Sequence, residues 1–467
     1  GNVLPRREDA AMKFLVQVIC VSEHAERREQ VFEMEREHLT METLGHALGE
    51  SKALLRGVQE FVVAEQVAAD LERRRCCPDC GKRHASKAQG SIKVKVFGPV
   101  EVPNPRWHRC SCQSTGPSTF RPVTSWLTGQ TSPELLYLET KWASLIPYAK
   151  VAELLKDVLP VADTLNHETV RNHLHTVANR IEQELGEEPL RLFEGSDRDW
   201  EEQPLPDGPM TVGIDGGFVR AAHKEGWFEV IAGKSVVAFR REEAGETPSS
   251  KCFGFVQTYD EKPRRRLWEL LKSQGMQENQ QVVFLSDGGD TVRQLQEYLH
   301  PCSEHLIDWF HITMRLTVLQ QQAKGLQTER PQFGQETSKQ LESVKHLLWH
   351  GNTEEALERI GGLNIELDLL RAFSPAADKL GKSLGEFETY IRNNIEFIPN
   401  FGERCRQGET ISTAFVESTV NQVVSKRFVK KQQMQWTPRG AHSCCYKHGP
   451  KSLSWDRRTS AAVFSPR

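Results

Sequence analysis

No stretch of the chain approaches the roughly 20 consecutive apolar residues of a membrane-spanning helix, and no basic-then-apolar leader opens it. These absences predict a cytoplasmic protein with no membrane partner. Charge of one sign is missing too. Lys and Arg number 60 against 63 Asp and Glu, a net of -3, so the overall balance names no polyanionic partner. Proline is absent from residues 9 to 75, which leaves that stretch free to form long regular elements. The 11 cysteines come without a secretory leader, which argues against a disulfide scaffold and predicts reduced thiols, some of them metal ligands. The first residue is Gly1 rather than Met, which reads as a fragment or a processed chain.

What is present is unevenly spread over the 467 residues, enough for two to four domains. From Leu71 to Arg109 there are ten Lys and Arg against three acids, and from Ile181 to Gly208 ten acids against two Arg. From Thr410 to Arg439 five Lys and Arg face Glu417 alone. Basic blocks around an acidic connector fit a protein that meets polyanions at selected faces, although solvated surface charge is the plain alternative.

Taken in order, residues 1–70 read as helices. Phe14, Val18, Cys20 and Val21 begin one apolar stripe, and Leu54, Leu55, Val58, Phe61 and Val62 form another, suited to packing or self-association. Residues 71–122 carry Cys77-Pro78-Asp79-Cys80 and, after 29 residues, Cys110-Ser111-Cys112. Two close thiol pairs around an alternating stretch, Ser91 to Glu101, predict a zinc ribbon with Zn²⁺ on Cys77, Cys80, Cys110 and Cys112. Cys76 is a substitute ligand. Lys93, Lys95, Arg106 and Arg109 make its surface basic enough to grip DNA phosphates. Residues 130–185 read as helices again. Asn166 caps the second of a pair resembling a helix-turn-helix, with Arg171 on its polar face, although plain helical packing explains the pattern equally well. Residues 186–209 read as a solvated acidic linker.

From Met210 the pattern becomes strand, strand, strand, helix, strand, helix, strand. Two of these strands end on an acid followed by glycines, Gly213-Ile214-Asp215-Gly216-Gly217 and Leu285-Ser286-Asp287-Gly288-Gly289. A third ends Ile307-Asp308-Trp309-Phe310-His311. That order is the one of a ribonuclease-H-like sheet, in which the first and fourth strands are neighbours. The chain then reads as a multidomain α+β protein, with this α/β core at 210–311 and 412–442 and an all-helical insertion at 312–411. Asp290 reads as the cap of a helix over 291–299. Asp215 and Asp287, joined by Glu417 from a helix after the insertion, form a carboxylate cage for Mg²⁺ or Mn²⁺. A strand-terminal Asp before Gly-Gly is also an ordinary turn former. Asp308 and His311 are secondary candidates, a metal neighbour and a phosphate or sheet-edge contact, although a structural hydrogen bond explains the pair at least as well. Lys426, Arg427, Lys430 and Lys431 follow Glu417 and are placed to take phosphates. Residues 443–467 read as a disordered or aberrant tail in which Ser443-Cys444-Cys445 breaks the helix.

The combination resembles the DDE transposases of bacterial insertion sequences, in particular those with a zinc-ribbon amino-terminal region and a helical insertion before the final Glu. The residues that carry it are Cys77-x-x-Cys80 with Pro105-Arg106-Trp107-x-x-Cys110-x-Cys112, the Asp215, Asp287 and Asp308-x-x-His311 segments, Phe415-Val416-Glu417-Ser418-Thr419-Val420-Asn421, and Gln433-Met434-Gln435-Trp436-Thr437-Pro438-Arg439-Gly440-Ala441-His442. The Asp308-x-x-His311 spacing is similar to the CxxH of hAT and Mutator-like transposases. The resemblance implies Mg²⁺-dependent cleavage and strand transfer at terminal inverted repeats, with Asp215, Asp287 and Glu417 catalytic. It also implies double-stranded DNA as partner and a homo-oligomer that pairs two ends. Two other readings remain open on the sequence: a decayed or domesticated relative that only occupies DNA, and a zinc-stapled interaction scaffold.

Overall fold

A computed structural model describes residues 11–22, 25–112, 116–125, 127, 129–189, 192, 197–204, 206, 208–222, 226–237, 250–289, 303–420, 424, 427–428 and 435–445. The architecture is mixed α and β, and the chain divides into two compact units, one ending at Ile181 and the other running from Glu182 to Ser452. Among the described residues no helix is long and apolar enough to cross a membrane.

The first unit opens with a correction. Residues 12–36 are not helical but a two-stranded antiparallel ribbon, β1 (Met12–Val21) with β2 (Glu26–Arg36), broken by a bulge between Val16 and Gln17. Only then comes the single long helix α1 (Leu48–Arg73). Phe14, Val18 and Val21 fit helical spacing, but Val16, Val18 and Cys20 also alternate in burial with Leu15, Gln17 and Ile19. The β-branched side chains prefer the pleat, so the short run satisfied both periods. Arg36 is held by Glu50 at the start of α1, which ties the ribbon to the helix.

Next come the short strands β3 (Ser86–Ala88), β4 (Ser91–Lys95), β5 (Pro99–Pro103), β6 (Arg106–His108) and β7 (Thr119–Phe120). β4 and β5 form the expected hairpin, whose Val94, Val100 and Val102 pack with Val67 of α1. Helices α2 (Pro133–Ala143), α3 (Tyr148–Val158) and α4 (His167–Leu185) follow. Asn166 caps α4 as the sequence predicts, its Oδ1 accepting from the N–H groups of Glu168 and Thr169 at 3.1 and 3.0 Å.

The second unit is built on a five-stranded mixed sheet of order β10-β9-β8-β11-β12: β8 (Met210–Arg220), β9 (Trp227–Val237), β10 (Ser250–Val256), β11 (Val282–Ser286) and β12 (Ser303–Ile307). The first three are antiparallel, while β11 lies parallel to both β8 and β12. Period-two alternation divides its faces. Met210, Val212, Ile214, Val282 and Phe284 point to one side, against Leu267, Trp268, Leu270 and Leu271 of α6 (Pro263–Lys272). Val283, Leu285 and Leu306 point to the other and pack with Phe415. The predicted acids share the parity of this second face.

Residues 186–209 are not simply a solvated linker. They contain a short helix, α5 (Asp197–Glu201), and Glu188 accepts from Arg264 Nε at 2.6 Å while Lys262 donates to the carbonyl of Gly186 at 2.7 Å. Glu188 of this segment thus answers Arg264 at the start of α6.

After β12 the chain forms an all-α body: α7 (Trp309–Glu329), α8 (Pro331–Trp349), α9 (Thr353–Asp368), α10 (Pro375–Asn393) and α11 (Phe401–Arg406). Its own core runs from Ile312 through Leu341, Ile360 and Leu384 to Phe401. The first helix begins at Trp309, inside the predicted site rather than after it. The chain returns through α12 (Ala414–Val420) and ends, for the described residues, in α13 (Pro438–Cys445). Ser443, Cys444 and Cys445 continue that helix instead of breaking it, and all three are buried, so no tail begins there. Cysteine and serine at the end of an amphipathic helix simply pack inward. Residues 446–467, Asp290 and the helix predicted over 291–299 lie outside the described residues.

Candidate metal centres

The first centre sits at the edge of the second unit's sheet. β8 and β11 run side by side in parallel register, Leu285 opposite Gly213, so Asp215 and Asp287 emerge as neighbours where the two strands diverge. Helix α12 covers this face at close range. A Cβ on Gly213 would lie 2.2 Å from a methyl of Val416, and one on Gly217 would lie 2.7 Å from a methyl of Val424. The glycines flanking Asp215 therefore let the following segment lie directly on the strand. Glu417 belongs to α12, next in chain to Val416; its side chain lies outside the described residues.

His311, from the first turn of α7, completes a group that sequence reasoning ranked second. Donor atoms of Asp215, Asp287 and His311 lie within 4.8 Å of one another, and all three residues are half-buried. Octahedral Mg²⁺, with bonds of about 2.1 Å, spaces its ligand atoms about 3–4 Å apart. The group fits a divalent cation after small side-chain movements.

The local geometry explains how these atoms are held. Asp215 Oδ1 accepts from the N–H of Gly216 at 2.7 Å, and Asp287 Oδ1 from that of Gly289 at 3.0 Å. Gly288 has a φ of +85°, and a Cβ there would meet Asn394 Oδ1 at 2.5 Å, so only glycine fits the turn beneath Asp287. Tyr390 of α10 donates its hydroxyl to the carbonyl of Asp287 at 3.1 Å, with the guanidinium of Arg315 4.3 Å over its ring. The helical body is thus fastened to the site by Tyr390 and Asn394, neither of which any motif singled out. Burial pushes the Asp215 carboxyl above its ordinary pKa, the N–H of Gly216 opposing. For His311 burial disfavours the charge, but the hydrogen bond to Asp308 and the fields of Asp308, Asp215 and Asp287 outweigh it, and its pKa rises. Negative charge gathered in a half-buried pocket is an environment that favours a cation.

Asp308 is not itself one of the donor group. It is fully buried, caps α7 by accepting from the N–H of Phe310 at 2.8 Å, and faces His311 Nδ1 at 3.0 Å and the hydroxyl of Thr413. With those three partners its carboxylate meets the cluster only through the His311 ring.

The second centre is in the first unit. Cys77 Sγ lies 3.4 Å from Cys112 Sγ, and Cys80 Sγ 3.3 Å from Cys110 Sγ, the four within 4.8 Å of one another. Tetrahedral Zn²⁺ with bonds of about 2.3 Å would space its sulfurs by about 3.8 Å, so the four fit a closed tetrahedral ion. Cys76 is not part of the group. It forms a bridge with Arg83 one residue earlier, and the next residue points inward. The N–H of Cys112 and then the Cys80 thiol draw the Cys110 thiol down to about 6, while Cys110 and Cys77 push the Cys112 thiol up. Four crowded sulfurs cannot all ionise without a cation between them. Around them Trp107 is buried, with His84 stacked on it and Arg75 4.9 Å over its ring.

The basic candidates divide. Lys93, Lys95, Arg106 and Arg171 are exposed, and Glu101 stands opposite Lys93 in the hairpin register. Arg109 is half-buried, its guanidinium 6.0 Å over Phe120. Arg427 is contradicted as a phosphate contact: it is buried, and its guanidinium stacks 4.3 Å over the ring of Trp436, where an aromatic face takes the cation out of solvent. Lys426, Lys430 and Lys431 lie outside the described residues.

A further constellation was missed. Arg266, 4% exposed at its side chain, pairs with Asp260 at 2.8 Å and Glu182 at 3.0 Å, and its Nη2 lies 3.4 Å from His442 Nε2. Four residues spread over residues 182–442 give no local pattern to read.

No protein-family model matches the chain, and no curated protein matches it either.

Proposed function

We propose that the chain is a DNA-cleaving and DNA-joining enzyme of the DDE transposase kind, with a ribonuclease-H-like catalytic unit and a zinc-ribbon DNA-binding unit. One observation carries the reading. Asp215 and Asp287 lie together on parallel neighbouring strands, and the helix containing Glu417 covers that same face. Asp215, Asp287 and Glu417 would hold Mg²⁺ or Mn²⁺, which when bound supplies charge for the attacking and leaving oxygens of a phosphodiester. The residues' own part is to orient that charge. β8 and β11 fix the two acids, the Gly288 turn aims Asp287, and Tyr390 braces its backbone. Double-stranded DNA is the substrate, in particular terminal inverted repeats, and a homo-oligomer pairs the two ends.

The second reading, a protein that occupies DNA without cutting it, draws on a different observation. The exposed Lys93, Lys95, Arg106 and Arg171 all belong to the unit without the acids, so binding does not require them.

The test uses linear DNA carrying both flanks of this chain's own coding sequence, incubated with Mg²⁺ or Mn²⁺ and mapped for nicks. Wild type is expected to give metal-dependent nicks at matched ends, lost by about 10²- to 10³-fold in Asp287→Ala, the scale of removing one electrostatic stabiliser of the transition state. Retention of the same nicks by Asp287→Ala would sink the catalytic assignment. Binding without nicks would favour the second reading, and no salt-sensitive binding would sink both.

A further inference from the structure

We infer that His311 is itself a ligand of the cation held by Asp215 and Asp287, bonded through Nε2. Asp308 and Thr413 act as positioning residues that fix its ring. The inference rests on the metal-binding part of the reading above and is indifferent to whether DNA is the substrate.

The geometry has three parts. His311 shares the compact donor group with the two acids, all within 4.8 Å. Its Nδ1 is 3.0 Å from Asp308 Oδ2, a carboxylate that can only accept, so the proton sits on Nδ1 and the lone pair of Nε2 remains for an ion. Asp308 is itself immobile. Its N–H donates to the carbonyl of Ser286 at 2.9 Å, its Oδ1 receives the N–H of Phe310, and its Oδ2 receives the hydroxyl of Thr413. This is the carboxylate–histidine–metal arrangement in which the outer carboxylate sets tautomer and ring orientation.

Two consequences follow from where these atoms sit. Ser286 immediately precedes Asp287 and Thr413 immediately precedes α12, so the strand end that delivers one acid and the helix that contains Glu417 are both tied to the buried Asp308. A shift of either element moves the ring. The donor set is also mixed. Mg²⁺ takes oxygen almost exclusively, whereas an imidazole nitrogen favours transition ions, so the centre prefers Mn²⁺ to Mg²⁺.

The test is pulsed EPR on the full chain, zinc-loaded, with one equivalent of Mn²⁺ and ¹⁵N-labelled histidine, beside Mn²⁺ and Mg²⁺ titrations. Wild type is expected to show histidine nitrogen coupling. His311→Gln loses the coupling and binds Mn²⁺ roughly 10- to 100-fold more weakly, and Asp308→Asn, which keeps the helix cap, weakens it by about 10-fold. His311→Asp, which supplies oxygen in place of nitrogen, binds without coupling and shifts preference toward Mg²⁺; circular dichroism verifies that each variant is folded. Mn²⁺ that binds in wild type and is lost in Asp287→Asn, yet shows no nitrogen coupling, would overturn the inference and leave the metal reading standing. Coupling that survives in His311→Gln would do the same. A wild type that binds no Mn²⁺ would overturn both.

Discussion

The two candidate centres are opposites in construction. The four cysteines fall between residues 77 and 112, on one small ribbon, and any chain that closes that ribbon brings them together. The acid–histidine centre draws on residues 215, 287 and 311, with α12 laid over them from a hundred residues further on. Its donor atoms meet because β8 pairs with β11 and β11 with β12, and two glycines let a distant segment lie on the strand beside them. A thiolate cluster is thus a local property of sequence, and its four sulfurs leave no coordination position open, as a structural zinc site requires. A cluster assembled from a sheet edge stays half-open, as a site for chemistry requires. The difference predicts that the centres fail independently and for different reasons.

The sharpest way to break the comparison is at the cysteines. Cys77→Ser or Cys110→Ser should release the ion, and structural zinc sites carry about 10 kcal/mol or more of folding free energy. The expected outcome is loss of one zinc per chain and rapid proteolysis within residues 71–122, while the second unit keeps its denaturation midpoint. A matched loss of stability in both units would mean that the centres are not independent.

A comparable stroke at the other unit is the buried Arg266. Arg266→Met leaves Asp260, 1% exposed at its side chain, uncompensated, and breaking a buried pair by removing one partner costs about 3–5 kcal/mol. Denaturant unfolding should show that loss in the second unit, with zinc content unchanged. The same cluster sets a pH dependence. Burial works to raise the Glu182 carboxyl, but His442, 3.8 Å away, and the hydrogen-bonded Arg266 guanidinium outweigh it and hold it at about 2 instead of 4.5. A folded-state value below the unfolded one means stability that is present in full above about pH 4.5 and is lost as pH falls from there toward 2. Glu182→Gln should lower the midpoint at pH 6 and flatten that acid limb.

Smaller still, Gly213→Ala tests the assembly itself. The added methyl meets Val416 at 2.2 Å with strand backbone behind it, so α12 must move. Overpacking of this kind costs about 1–3 kcal/mol. Divalent-metal affinity at Asp215 and Asp287 should fall by more than the stability loss explains, because the displaced helix is the one that contains Glu417. Unchanged affinity would mean that α12 contributes nothing to the centre.

The contrast also explains what could be read beforehand. Cys77-x-x-Cys80 and Cys110-x-Cys112 announce their chemistry within a few residues, and the β4–β5 hairpin shows in plain alternation. Asp215 and Asp287 were legible because strand ends punctuated by glycine are local, and the sheet order followed from chain order. Tyr390, Asn394 and Thr413 were not, since each acts through a single hydrogen bond or contact set up by tertiary packing. β1 was misread because a ten-residue stretch that is apolar apart from Lys13 and Gln17 satisfies two periods at once. Ser443-Cys444-Cys445 was misread because small residues that look like helix breakers become good packing residues when α13 buries them. Arg427 looked like a phosphate contact until Trp436, nine residues on, took its guanidinium.

The least effect, and the finest test of independence, concerns which element of the first unit would meet DNA on the function proposed above. Lys93 and Lys95 share one exposed face of the β4–β5 hairpin, whereas Arg171 stands on the exposed face of α4. Each phosphate contact adds about 0.9 to the slope of log affinity against log salt, so one contact is worth roughly three- to fourfold between 50 and 200 mM salt. Lys93→Gln with Lys95→Gln should flatten the slope by nearly 2 if the hairpin lies on the backbone, less if Glu101 already neutralises Lys93. Arg171→Gln should flatten it by about 1 if α4 docks. A slope change from only one of these variants assigns the contact to that element, and its partner then has a packing role alone. Either result leaves Asp287→Ala binding DNA with the wild-type salt slope, because the two centres occupy different units.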